Sequence, residues 1–340
     1  MRTKQFAATK SLAILLLAAS LPVLAQTNWE VKKTLPIGGQ GSWDYLTVDP
    51  ATHRLFAPRS THTMIIDANS GKTLGDIPGQ KNAHGVAIVP EVGRGFITDG
   101  GGEGAIIIFD LKTYATLGKI AAQPDADGII YDPAVGHVLV VSGDNGVLMS
   151  FKPDIDPTNG KIDAPINLGG KPEFLAADGK GKVYINLQDK DEVAVVDFKA
   201  GKVVARWPVA PGGSPVGMSI DTKTRRLFIG CRKPQKLIVM STDTGKVLSD
   251  LPIGAGVDAT KVDGGQAFAS CRDGSLAVAS ETSPGKFEIV QTVKTPQGAR
   301  TMGIDPTTHT IYLPTAEFET GSTGRPAPKP GTFMIVVVAR

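Results

Sequence analysis

The sequence has few of the residues on which the common catalytic and cofactor-binding motifs depend. Its 340 residues include two cysteines and three tryptophans. It contains no CxxCH haem-attachment motif, HExxH metalloprotease motif, GxSxG nucleophile motif or P-loop. Three tryptophans are also too few for the tryptophan-bearing blades of quinone-dependent dehydrogenases. These absences exclude the enzyme classes that such motifs define. The function must therefore be argued from which side chains the fold brings together.

An excess of charge of one sign is missing as well, once the N-terminal segment is set apart. Residues 1–25 have the pattern of a signal peptide, with a basic start (Arg2, Lys4, Lys10), an apolar stretch too short to span a bilayer, and a small-residue cleavage site. Three of the 36 basic residues lie there, which leaves 33 basic residues against 33 acidic ones. This balance gives no support to nucleic-acid or membrane binding. We expect a periplasmic or secreted protein with no membrane span after cleavage.

Glycine (40 residues) and proline (24 residues) are frequent, and they punctuate a repeat. The stretches 43–59, 216–231 and 300–315 each have the pattern of a strand, an Asp-containing turn and a second strand. Aligning the repeats on the residue that ends the first strand gives steps of 40 to 46 residues. The seven aligned index residues are Asp49, Val89, Asp132, Asp178, Asp221, Asp263 and Asp305. Seven units of four short strands at this period predict an all-β fold, a seven-bladed β-propeller.

The repeat also predicts how the ring closes. The last unit lacks an outer strand, and residues 27–38 have the pattern of one. We expect this N-terminal strand to complete the last blade, which removes a free sheet edge. Residues 26–340 then form a single domain. The predicted blades span residues 43–79, 84–122, 127–170, 172–213, 215–256, 258–298, and 300–340 together with 27–38.

The inner strands alternate between bulky and small residues. Three positions before the index residue the side chains are mostly large, and two positions before it they are mostly small. Sheets that pack face to face need such an alternation. Ile130 and Lys261 break it.

The repeat resembles the YVTN-repeat, YncE-like β-propeller family of bacterial exported proteins. The resemblance is carried by PVGMSIDTKTRRLFIG with TDTGKVLSDLPIG (215–254), and by KPEFLAADGKGKVYIN with DFKAGKVVARWPVA (171–210). It extends over the whole predicted mature chain. The family resemblance implies the propeller architecture and leaves the ligand open.

One set of polar residues shares a register position. Five residues before each index residue, six of the seven residues are ionisable: Asp44, His84, Asp127, Glu173, Asp258 and Arg300, with Val216 the exception. These positions start the inner strands, so we expect them to surround one mouth of the central channel. Loops on the same face are expected to add Arg59, Arg232 and Arg272. We call the seven positions the mouth ring.

Three explanations of the mouth ring remain open. In the first explanation, the ring is a salt-bridged, hydrated channel mouth in which the arginines neutralise the acids, including an Asp258–Arg300 ion pair. In the second, the ring binds a cationic or polyhydroxylated small molecule. In the third, it holds Ca²⁺, Mg²⁺ or Mn²⁺, because carboxylates favour these ions over zinc. The candidate metal ligands are Asp44, His84, Asp127, Glu173 and Asp258.

The two cysteines have equivalent places in adjacent blades, three residues after Phe228 and Phe268. Packed sheets lie about 10 Å apart, beyond the Cα separation of an unstrained disulfide, about 7 Å. We therefore expect Cys231 and Cys271 to be free thiols. Each precedes an arginine, which would lower a thiol pKa.

The sequence thus favours an exported, monomeric, non-catalytic binding or scaffold propeller whose channel mouth binds a small molecule or another exported protein. It predicts no cofactor, apart from the divalent cation (Ca²⁺, Mg²⁺ or Mn²⁺) that the third explanation leaves open. A metal-assisted hydrolase, lactonase or lyase at the same mouth is the alternative. A weaker one is single-stranded nucleic-acid binding through Arg59, Arg232, Arg272 and Arg300 with Trp43 or Tyr45 stacking, which the balanced charge disfavours.

Overall fold

The structure is a computed structural model that describes Met1, residues 28–321 and residues 326–340. The predicted leader lies outside the described residues, apart from Met1. The described residues form 29 β-strands and one short 3₁₀ helix, Pro90–Val92. Among them, no helix has the length and apolarity that a bilayer crossing requires.

Five separate four-stranded antiparallel sheets account for most of the chain. The first contains β9 (Ala126–Asp132), β10 (His137–Ser142), β11 (Val147–Phe151) and β12 (Ile166–Asn167). The next contains β13 (Pro172–Ala177), β14 (Lys182–Leu187), β15 (Glu192–Asp197) and β16 (Lys202–Pro208). The third contains β17 (Pro215–Asp221), β18 (Arg226–Arg232), β19 (Gln235–Ser241) and β20 (Val247–Pro252). The fourth contains β21 (Val257–Asp263), β22 (Gln266–Cys271), β23 (Ser275–Ser283) and β24 (Lys286–Lys294).

The fifth of these sheets joins the two ends of the described chain. It contains β25 (Gly303–Asp305), β26 (Thr310–Thr315), β29 (Met334–Ala339) and β1 (Glu30–Pro36). β1 pairs with β29 in an antiparallel register that runs from Glu30↔Ala339 to Pro36↔Met334. A small hairpin, β27 (Phe318–Thr320) and β28 (Pro326–Pro328), projects between β26 and β29.

The first two repeat units share one seven-stranded sheet. It contains β2 (Thr47–Asp49), β3 (Arg54–Pro58), β4 (Ser60–Asp67), β5 (Thr73–Val89), β6 (Arg94–Asp99), β7 (Ala105–Asp110) and β8 (Thr116–Ala121). The prediction of seven separate four-stranded sheets is therefore wrong here. The reason is that β5 continues without a break from its pairing with β4 into its pairing with β6. Gly79, with φ +93°, provides the backbone conformation for the change of direction.

The core consists of apolar layers between facing sheets. One layer packs Tyr184 and Val193 against Met218 and Leu227 of the following sheet. The two halves of the seven-stranded sheet also face each other, and the rings of Phe56 and Phe109 lie 5.8 Å apart. The innermost strands contact one another in the closed order β2, β5, β9, β13, β17, β21, β25 and back to β2. Radial four-stranded sheets around a central channel define a β-propeller.

Candidate functional site

β-bulges position most of the mouth ring. In five inner strands the register shifts at the ring position, so that His84, Asp127, Glu173, Val216 and Asp258 each fall inside a bulge. A bulge re-aims the side chain of its extra residue away from the regular alternation. Asp44 and Arg300 lie just before the regular part of β2 and β25. The same position of the repeat therefore places a side chain at the channel in successive blades.

One side of the ring places an imidazole between two carboxylates; we call Asp44, His84 and Asp127 the imidazole sector. His84 Nδ1 donates to Asp44 Oδ2 at 2.7 Å and lies 3.4 Å from Asp127 Oδ1. The amide of Asn82 lies 2.7 Å from His84 Nε2. Asp127 Oδ1 is buried and has no hydrogen-bond partner among the described residues. One carboxylate of this sector is thus satisfied and the other is not.

Burial and charge shift the pKa values of this sector strongly. Burial lowers the pKa of His84, but the hydrogen bond with Asp44 and the charges of Asp127 and Asp125 outweigh it and raise this pKa to about 9. Burial raises the pKa of Asp127 well above its ordinary value, and the neighbouring carboxylates add to that rise. Burial also raises the pKa of Asp44, against the hydrogen bond from His84. A protonated imidazole is therefore the counter-ion of this sector.

The opposite side is neutralised by arginine; we call Asp258, Arg232 and Arg300 the arginine sector. Asp258 Oδ1 accepts from Arg232 Nη2, and Asp258 Oδ2 accepts from Arg300 Nε. Arg300 also donates to the carbonyl oxygen of Trp43, and Arg232 to that of Val257. The predicted Asp258–Arg300 ion pair is confirmed. In this sector the salt-bridged explanation holds.

Glu173 lies between the two sectors in ring order. Burial raises its pKa to about 7, helped by the charges of Asp258 and Asp44 and opposed by Arg232 and Lys171. None of the hydrogen bonds among the described residues involves its carboxyl group. Near neutral pH this carboxyl group is therefore divided between its protonated and ionised forms.

Arg272, one of the predicted loop arginines, lies near the arginine sector. Arg272 is exposed, and after burial the charge of Arg300 is the main influence on its pKa, which is lowered. Arg272 therefore lies within electrostatic reach of the arginine sector. It makes no ion pair within the described part of the chain.

The assignment of Arg59 to the mouth is wrong. Its side chain is 1% exposed, and its guanidinium donates to the carbonyl oxygens of Ser42, Gly38 and Gly41. It also stacks on Phe333, 3.6 Å from the ring centre. The glycine-rich segment 38–42 folds over Arg59. Its backbone carbonyls accept the guanidinium hydrogen bonds that the prediction assigned to the carboxylates of the mouth ring. Arg59 is a structural residue.

An aromatic pair crosses the channel just inside the mouth ring. Tyr45 and Phe174 come from inner strands on opposite sides of the channel, and their ring centres lie 4.7 Å apart. Sequence reasoning missed this pair, although a signal exists. At the equivalent position the other five repeats have glycine, alanine or threonine: Gly85, Gly128, Gly217, Ala259 and Thr301. Two aromatics in a position that is otherwise small indicate a contact across the channel.

The cysteines are free, as expected, and both are fully buried, in different core layers. The expected effect of the neighbouring arginines on them is wrong. Burial raises the pKa of each thiol to about 12. Cys231 and Cys271 are therefore unreactive core residues.

A divalent ion has one candidate location among the described residues. Ligand atoms of Asp44, His84 and Asp127 lie within 4.8 Å of one another. The predicted set also included Glu173 and Asp258, but Asp258 has both oxygens bonded by arginine. An ion at the imidazole sector would have to displace the Nδ1 proton of His84, since Nδ1 is the atom that faces both carboxylates.

Comparison with known proteins supports the fold alone. No protein-family model matches the chain. No curated protein matches it either. Among solved structures it is similar to Kuenenia stuttgartiensis hydrazine synthase, with a TM-score of 0.68 and 14% sequence identity over 85% of this chain and 95% of that one. At this identity the similarity confirms a β-propeller and carries no function.

Proposed function

We propose that this protein is an exported, non-catalytic binding propeller whose channel mouth holds a small molecule with a cationic group or several hydroxyl donors. One observation carries the proposal. Asp127 presents a buried carboxylate oxygen that lies 3.4 Å from His84 Nδ1 but has no hydrogen-bond partner among the described residues, in a ring where the carboxylates of Asp44 and Asp258 are already bonded. An unpartnered buried acceptor is costly, on the order of 1–3 kcal/mol. A donor supplied by a ligand removes that cost.

Glu173 adds a second acceptor to the proposed site. Asp127 and Glu173 occupy the ring position in consecutive sheets, and after burial the charge of Glu173 is one of the influences that raise the pKa of Asp127. A cationic or hydroxylated ligand between them would relieve this repulsion. The aromatic pair Tyr45–Phe174 forms the floor against which such a ligand would rest.

The finer features of the architecture belong to the same proposal. We count the two halves of the seven-stranded sheet as two blades, because they pack face to face and contribute two separate inner strands to the ring. That gives seven blades, with β1 completing the last. The YVTN-repeat resemblance, export by the leader 1–25, a periplasmic or secreted location and a monomeric state complete the proposed description.

A thermal-shift screen tests the proposed ligand class. The purified chain is mixed with diamines, quaternary amines, amino sugars and neutral sugars, and a binder is expected to raise the melting temperature. The double variant Asp127→Asn/Glu173→Gln is expected to lose the shift, whereas Asp144→Asn, an exposed carboxylate in the loop between β10 and β11, keeps it. A shift that survives the double variant, or a panel with no binder, would overturn the proposal.

A metal-assisted hydrolase, lactonase or lyase remains the second candidate, because the imidazole sector brings together two carboxylates and an imidazole. A bound ion would polarise a carbonyl or activate water there. Metal analysis of protein purified without chelator, with thermal shifts in Ca²⁺, Mg²⁺ and Mn²⁺, separates the candidates. An ion that stabilises the wild type but not Asp127→Asn would favour the enzyme.

Binding of single-stranded nucleic acid loses its structural support. Arg59 and Trp43, on which it partly rested, are 1% and 3% exposed. Tyr45 packs against Phe174 inside the channel. Of the other arginines of this alternative, Arg232 and Arg300 already pair with Asp258, which leaves Arg272 as the one without an ion pair among the described residues.

A further inference from the structure

A cavity continues down the channel beyond the aromatic pair, away from the mouth ring. Its volume is about 600 Å³, within the roughly 300–1,000 Å³ typical of small-molecule sites. It reaches the turns that end the inner strands, where Pro133, Gly179 and Thr222 are exposed. The cavity is therefore open to solvent at the face opposite the mouth ring.

Apolar side chains provide most of its wall. The residue just before the index position lines it from five inner strands: Ile88, Tyr131, Ala177, Ile220 and Val262. Ile130, one of the two residues that break the inner-strand alternation, also lines it. A wall of this kind favours an apolar ligand, because binding removes apolar surface from water.

Lys261, the other residue that breaks the alternation, supplies the one cation of this wall. It occupies the position that is alanine, serine, glycine, threonine or isoleucine in the other repeats. Within the described residues its amino group makes no hydrogen bond or ion pair. The amino group lies over the ring of Phe174, with Nζ 5.6 Å from the ring centre. Burial lowers the pKa of Lys261, and no carboxylate offsets this effect.

The two carboxylates that reach the cavity wall do not serve Lys261. Asp258 has both oxygens bonded by Arg232 and Arg300. Asp132 accepts the backbone N–H of Ala134 with Oδ1 at the turn that ends β9, and its buried Oδ2 has no hydrogen-bond partner among the described residues, so it makes no ion pair with Lys261. An ammonium group in apolar surroundings is costly unless an anion pairs with it. No carboxylate of the described wall pairs with Lys261, and a ligand can bring the anion that does.

We propose that this cavity is a second binding site, for an apolar small molecule with one carboxylate, whose charge pairs with Lys261 while its apolar part lies against the isoleucine-rich wall. Of the seven mouth-ring residues, Asp258 alone lines this cavity. An apolar amine would be repelled by Lys261, and a neutral apolar molecule would leave the ammonium unpaired.

Calorimetry with decanoate as the probe, and decanol and decylamine as matched controls, tests the site. The wild type is expected to bind decanoate more tightly than either control. Lys261→Met, which keeps the length and removes the charge, is expected to weaken decanoate binding about 10-fold or more. Lys180→Met, at an exposed lysine beside the cavity opening, is expected to bind like the wild type. Lys261→Arg is expected to retain binding.

Two further variants separate this site from the mouth ring and from misfolding. Ala177→Tyr introduces the residue that the preceding repeat already has as Tyr131, and it is expected to exclude decanoate by filling the cavity. Asp127→Asn/Glu173→Gln is expected to leave decanoate binding unchanged. Absence of binding by the wild type, or equal affinity in folded Lys261→Met, would overturn the second site without touching the proposal for the mouth.

Discussion

The two sectors of the channel mouth neutralise their carboxylates with different cations. Asp258 has a guanidinium on each oxygen, whereas Asp44 and Asp127 share one imidazole. Arginine stays charged at any accessible pH and offers several donors, so the arginine sector is permanently neutralised. A histidine can lose its charge and cannot satisfy two carboxylates equally. Blades with the same register can therefore hold one closed ion-pair cluster and one cluster with an acceptor to spare.

The difference bears on where the proposed ligand would bind. In the arginine sector both oxygens of Asp258 are already bonded, so the sector has no free carboxylate oxygen for a ligand. Its side chains are part of the channel wall. The imidazole sector retains the unpartnered oxygen of Asp127 and lies next to Glu173 in ring order. The most perturbed carboxyl groups of the described chain gather on this side, as expected of sites that act on other molecules.

Removing Asp258 should give the largest effect. Asp258→Ala leaves two guanidinium groups without their carboxylate in a mostly buried setting. We expect a loss of about 3–5 kcal/mol in the free energy of unfolding, measured by urea denaturation. Glu173→Gln is the matched control and is expected to leave the value unchanged or to raise it, because it removes a carboxyl group whose ionised form is unfavourable in the fold. Equal effects of the two changes would erase the distinction between the sectors.

The pH dependence of stability should come from the imidazole sector. The pKa of His84 rises from 6.5 to about 9 in the fold, so its contribution is complete below pH 6.5 and is lost as the pH rises through 9. A shift of this size corresponds to on the order of 3 kcal/mol. The pKa of Glu173 rises from 4.5 to about 7, and its protonated form likewise stabilises the fold below pH 4.5 and ceases to do so as the pH rises through 7.

Thermal melting of the wild type and His84→Gln between pH 4.5 and 9.5 separates these two contributions. Between pH 7 and 9.5 the wild type is expected to lose more stability than the variant, because only the wild type has the charge of His84 to lose. Parallel curves in that interval would show that His84 is not held in its charged form.

Replacing Asp127 should have a small effect of opposite sign to Asp258→Ala. Asp127→Asn removes a buried negative charge that repels Asp44 and Glu173. We expect stability to stay equal or to rise by up to about 1 kcal/mol, again by urea denaturation. A loss as large as that of Asp258→Ala would mean that Asp127 is an obligatory partner of His84.

The smallest effect is expected at Arg272. It is exposed and unpaired within the described residues, so Arg272→Ala should alter the unfolding free energy by less than about 0.5 kcal/mol. A larger loss, seen in the same denaturation series, would extend the arginine sector to a third guanidinium.

The repeat register was sufficient to predict that residues far apart in sequence meet at the mouth. Asp44 and His84 are 40 residues apart and form a hydrogen bond, and Asp258 and Arg300 are 42 apart and form an ion pair. The register has this power because each blade repeats the same path, so one position in the repeat corresponds to one height in the channel.

What the register could not provide is the conformation of segments outside the repeat. The burial of Arg59 depends on the glycine-rich connection 38–42, whose path follows no repeat. The continuous course of β5 depends on the backbone conformation between its pairing with β4 and its pairing with β6. Lys261 was visible as an exception to the pattern, but its isolation requires knowing which carboxylates the arginines have already taken.

The pairing of β1 with β29 has a consequence for how the molecule can be rebuilt. Glu30 and Ala339 are neighbours across one ladder, so the ends of the described chain lie side by side. A short peptide joining them, with a new start and end opened in an exposed turn such as the one at Gly179–Lys180, would give a circular permutant with every ladder retained. In such a permutant β29 and β1 would be consecutive in the chain, and the new chain ends would lie between β13 and β14.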